Sequence, residues 1–121
     1  MHLEALKKLI ESDGFFAIFG SDVSWDDPLD ARDQADFDER WVQHHEALLR
    51  FALDDESSLQ IRQVRERVFE KIFSASGNAE LASCVSDDFG LIANHVVLHL
   101  PESWVDKLLS AYQRGEFPHA L

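Results

Sequence analysis

The chain has 121 residues, with 23 Asp and Glu against 11 Lys and Arg, for a formal net charge of −12. Apolar residues make up 45% of it and there is one cysteine. These figures exclude intrinsic disorder, an internal disulfide and sequence-unspecific binding of nucleic acid, which needs clustered positive charge. They fit one compact domain over residues 1–121, a reducing compartment and a basic partner.

Leu3, Leu6, Leu9 and Ile10 share one face of a first helix that Asp13-Gly14 stops. Charges interrupt this N-terminus, so no apolar signal-peptide core is present, and no stretch is long enough to cross a bilayer. A cytoplasmic protein with no membrane partner is the expectation. Phe15 to Phe19 reads either as a short extended segment or as an extra helical turn, and residues 20–27 as a loop. Phe15, Phe16 and Phe19 also offer apolar surface for self-association.

Asp27-Pro28 opens the next helix, with Asp27 as cap and Pro28 where its missing N–H costs nothing. That helix runs to about residue 53 on a stripe of Phe37, Trp41, His45, Leu48 and Ala52. Before Phe37 only Leu29, Ala31 and Ala35 are apolar, so the first two turns are weakly packed or form a separate short helix. A polar connector, 54–58, precedes a helix over about 58–75 with Ile61, Val64, Val68, Ile72 and Ala75 on its buried face. A short helix over about 79–85 breaks at Ser86-Asp87-Asp88, and an almost wholly apolar central helix follows from Leu91 to Leu100. Pro101 ends it, and Trp104, Val105, Leu108, Leu109 and Tyr112 give the last helix its core stripe. The fold class is an all-α bundle of five or six helices with short loops.

Charge is unevenly spread. Residues 22–40 hold eight acids, Asp22, Asp26, Asp27, Asp30, Asp33, Asp36, Asp38 and Glu39, against Arg32 and Arg40; eight less two leaves −6, half of the −12 in 19 residues. Such a run serves either as a solvated surface or as a docking face for a basic partner. In the second case Asp26, Asp30, Asp33, Asp36, Asp38 and Glu39 steer the partner, and Trp25 and Trp41 anchor it. A calcium loop starting at Asp22 fails, because Asp27 stands where the turn needs glycine and Asp33 where it needs glutamate. The one basic concentration, Arg62, Arg65, Arg67 and Lys71, spreads around its helix and is expected to offset acids elsewhere, including those of 22–40.

His95 and His99, four residues apart, with Asp88 two turns earlier, form a weak candidate metal site; the more ordinary reading is packed, neutral histidines. His45 is expected to be packed within the Trp41–Leu48 stripe, with His44 toward its edge. Cys84 reads as a small buried hydrophobe. No nucleotide-binding glycine loop and no nucleophile elbow is present, so no cofactor, catalytic residue or enzymatic activity is expected.

In size and charge the chain resembles the bacterial immunity proteins that neutralise nuclease toxins, whose active sites attract polyanions. That resemblance implies an inhibitor acting by charge complementarity on a basic toxin domain. The alternatives are a helical adaptor that binds a partner helix in an apolar groove, and a metal protein using His95, His99 and Asp88.

Overall fold

The computed structural model describes residues 1–121, the side chain of Ala35 excepted. Six α-helices follow in order: α1 (Leu3–Glu11), α2 (Asp26–Arg32), α3 (Ala35–Leu48), α4 (Asp55–Ser76), α5 (Ala79–Val97) and α6 (Trp104–Gln113). A single 3₁₀ turn, Ala17–Gly20, lies between α1 and α2, so the Phe15–Phe19 run is helical and not extended. No strand occurs among the described residues. The architecture is all-α, as composition and periodicity require.

The centre is a hairpin of α4 and α5. Asp54 caps α4 by accepting from the Ser57 N–H at 2.6 Å. Gly77 closes it in the left-handed region at φ 66°, where a side chain would be strained. Asn78 then caps α5 through the Leu81 N–H. Ile61, Val64, Val68 and Ile72 of α4 are buried as expected, whereas Ala75 is exposed.

α5 corrects the sequence reading. Residues 79–85 and 91–97 belong to one 19-residue helix with no break at Ser86-Asp87-Asp88. Serines and aspartates break helices when they bond their own backbone, and here tertiary partners take those bonds instead. Ser86 Oγ donates to the Arg65 carbonyl at 2.8 Å, and Asp87 receives the Arg65 guanidinium at 2.6 Å. Gly90 completes the fit: a β-carbon there would stand 2.7 Å from the Arg65 side chain that crosses over it.

An aromatic wall joins the N- and C-terminal parts to this hairpin. Phe16 packs edge-on against Phe89 at 5.5 Å, Phe89 against Tyr112 at 4.9 Å, and Phe19 against Trp25 and Phe117 at 5.2 and 5.9 Å. Phe16 and Phe19 are thus buried in the core and offer no surface for self-association.

Asp88, wholly buried at the middle of α5, ties the remaining helices to it. Its two oxygens accept both terminal nitrogens of Arg32 at 2.6 Å, the Trp41 indole N–H at 2.9 Å, and the Tyr112 hydroxyl. One carboxylate therefore joins α2, α3, α5 and α6. Burial pulls the Arg32 guanidinium down, but attraction and hydrogen bonding to Asp88 outweigh it and hold the group above its ordinary value. Burial and the same carboxylate push the Tyr112 phenol up, which keeps it a donor. Phe37 and Phe117 cover the guanidinium carbon at 4.5 and 4.9 Å.

Removing one partner of a buried pair strands the other. Asp88→Ala is expected to lower unfolding free energy by about 3–5 kcal/mol. Arg67→Ala, which breaks a half-exposed pair with Glu11, is expected to leave the unfolding midpoint close to the parent's. Urea denaturation of both variants checks this; equal losses would show that the Asp88 network does not hold the fold.

Candidate partner-docking face

Two short helices carry the acidic segment. Trp25, not Asp27, precedes α2 and makes no side-chain cap; Ser24 Oγ accepts from the Asp26 N–H at 3.3 Å. Pro28 still falls in the first turn, where its missing N–H is harmless. The chain bends at Asp33-Gln34 before α3 begins, so the separate short helix expected before Phe37 is α2. Of the apolar residues before the stripe, Leu29 is buried and Ala31 half-buried, while the Ala35 side chain lies outside the described residues.

α3 meets the core through Phe37, Trp41, His44 and Leu48. His44 takes the inward place expected for His45, stacking on the Trp104 ring at 5.4 Å. His45 is exposed and stacks on Trp41 at 5.2 Å. Ala52 lies beyond the helix and is exposed.

All eight acids of 22–40 are exposed, and among the described residues none forms a salt bridge. Of the two arginines in the segment, Arg32 is only 7% exposed and turned inward to Asp88. Arg40 alone remains at the surface. The basic residues of α4 offset acids elsewhere in the fold, as expected, but not those of this segment: Arg65 pairs with Asp87, Arg67 and Lys71 with Glu11, and Arg62 with Glu66.

Between α2–α3 and α5 lies a cleft of about 210 Å³, bordered by Asp33, Asp38 and Trp41 on one side and Glu80, Cys84 and Asp87 on the other. Trp41 and Asp87 also border a second cleft of about 320 Å³ toward α4. Glu80 thus adds to the acidic face, and Asp87, already paired with Arg65, borders it, although they stand far from residues 22–40 in the chain. No local pattern marks them; only the packing of α3 across α5 brings them there. Trp25 and Trp41 are half-buried. Burial drives the Cys84 thiol up to about 12, with Arg32 opposing more weakly, so it is a poor nucleophile at neutral pH.

The proposed metal trio is not assembled. Asp88 is committed to Arg32, Trp41 and Tyr112, and α5 ends at Val97. His99 lies past the helix at φ 52°, which breaks the i, i+4 register with His95. Those two histidines border a cleft of about 330 Å³ without Asp88. Among the described residues no group of three His, Cys, Asp or Glu is placed to hold a metal ion.

The sequence matches the family described as "Immunity protein PIM1" over residues 5–119. The chain belongs to that immunity protein family. A search of curated proteins finds no match. An immunity protein works by binding a partner, and the PIM1 match spans α2, α3 and the clefts beside Trp41. No helix among the described residues is long and apolar enough to cross a membrane.

His95 gives this family member a pH dependence. Burial lowers its pKa below 6.5, and His44, 6.2 Å away ring to ring, lowers it further, with Asp106 opposing. The unfolded imidazole therefore takes up a proton before the folded one does. His95 contributes its full stabilisation above pH 6.5 and loses it as the pH falls through the window below. The His95→Gln variant is expected to lose less stability than the parent between pH 7.5 and 5.5 in thermal melts; identical pH slopes would remove the effect.

Cys84 supplies a second check. At pH 8 its alkylation is expected to be at least roughly 100-fold slower in the folded protein than in urea, because almost no thiolate is present. Equal rates in the two states would show an open, unshifted thiol.

Proposed function

We propose that this immunity protein neutralises a toxin by presenting its α2–α3 acidic face to a basic surface of that toxin, such as the nucleic-acid-binding region of a nuclease domain. The observation that carries the reading is the weakly compensated charge: eight exposed acids that form no salt bridge among the described residues, while one of the two arginines of their segment, Arg32, is turned inward. A surface of that kind costs folding energy through self-repulsion and is of use when an opposite charge approaches it. Asp26, Asp30, Asp33, Asp36, Asp38 and Glu39 steer the partner, and the exposed edges of Trp25 and Trp41 add contact area at the rim. The protein acts as a stoichiometric inhibitor, by occupying a surface and not by catalysis. Its single unreactive cysteine suits a reducing cytoplasm.

The partner is obtained by growth rescue: reading frames flanking the gene are expressed with and without this chain, and the product that kills only in its absence is the toxin. Against that purified toxin, the triple variant Asp30→Asn, Asp33→Asn, Asp36→Asn is expected to associate about tenfold more slowly than the parent at low salt. The two rates are expected to converge near 1 M salt, where screening acts within about 3 Å. Association at the parent rate in low salt would overturn the reading, and so would a toxin surface without excess positive charge.

A further inference from the structure

Charge brings a partner to a surface quickly, but exposed ion pairs hold it weakly. Durable complexes depend on apolar side chains that lose water at the centre of the contact. Trp25 and Trp41 are largely committed to the fold in this respect. Trp25 packs on Phe19 and Phe117, and Trp41 donates to Asp88 and stacks on His45.

Apart from Val23 in the loop before α2, the apolar surface left open near these acids lies further along α3. Val42 is 39% exposed and Leu49, at its C-terminal end, 75%. They stand seven residues apart, two helical turns, and so point the same way. Glu39 and Glu46 precede each of them by three residues, and both are exposed. At 100° per residue, Glu39, Val42, Glu46 and Leu49 form one stripe on the side of α3 opposite the inward-facing Phe37, Trp41, His44 and Leu48. Arg40 projects from a different side of the helix, and among the described residues neither Glu39 nor Glu46 has a salt-bridge partner.

We propose that this stripe is the anchoring half of the docking face, and that it seats an amphipathic segment of the toxin whose apolar ridge is flanked by Lys or Arg. The segment's apolar side chains cover Val42 and Leu49, and its cations meet Glu39 and Glu46. This rests on the reading of α2–α3 as the toxin-binding face. It assigns this face two tasks: the acids of α2, of the bend after it and of the first turn of α3 govern how fast the toxin arrives, and the outer side of α3 from Glu39 to Leu49 governs how long it stays.

The probe is the toxin recovered by growth rescue. The double variant Val42→Ser, Leu49→Ser changes exposed positions and no charge, so its thermal unfolding is expected to match the parent. Its complex is expected to dissociate at least about tenfold faster, while its association rate stays within about twofold. The Asp30, Asp33 and Asp36 triple variant is expected to show the reverse pattern. If the serine variant dissociates at the parent rate while the asparagine variant still associates slowly, the anchoring role of α3 is overturned and the acidic docking face stands. If neither variant changes the kinetics, both proposals fall.

Discussion

The fold turns on one buried carboxylate. Asp88 sits at the centre of α5 with no exposure to solvent, and a bare charge there would be untenable. Its stability comes from bonds drawn from three other helices: the Arg32 fork of α2, the Trp41 indole of α3 and the Tyr112 hydroxyl of α6. Breaking any of them leaves a polar group stranded in a low-dielectric interior, so the four helices are obliged to keep one arrangement. Apolar contacts alone tolerate sliding; a directional network of this kind does not.

The same interaction shapes the surface. Arg32 is drawn inward, so the cation that would otherwise relieve the acids around it is spent on Asp88. The acids of α2 and α3 are left facing water with Arg40 as the one cation of their segment at the surface. Trp41, held by the same carboxylate, stands between two clefts and fixes how α3 lies across α5. A core requirement and an acidic surface are therefore two faces of one arrangement.

α3 buries few of its side chains. Its inward side is the narrow row of Phe37, Trp41, His44 and Leu48, while α5 is buried on nearly every face. A helix with so little of its circumference buried leaves the rest open to a partner. Its junction with α5 and α6 also brings His44, His95 and Trp104 together. Proton uptake at that point bears on the same helix that carries Asp36, Asp38 and Glu39 of the acidic segment.

Several features follow from local chemistry and are legible without coordinates. Period-3.6 apolar spacing marks α1, α4 and α6, Gly77 and Asn78 mark the turn of the central hairpin, and the bias of residues 22–40 marks the acidic surface. Others were decided by residues distant in sequence. Ser86, Asp87 and Asp88 resemble a helix break until Arg65, Arg32, Trp41 and Tyr112 take their hydrogen bonds. By contrast, His44, not His45, faces inward because at 100° per residue it lies nearer the line of Phe37, Trp41 and Leu48, a signal already present in the spacing. Glu80 joins the acidic face, and Asp87 borders it, only through packing. The sequence by itself determined helix content, the stop at Gly77-Asn78 and net charge, because spacing, capping and composition act within a few residues. Which polar groups are buried and which charges face a partner was left to the tertiary structure, because a side chain's partners are set by contacts dozens of residues away.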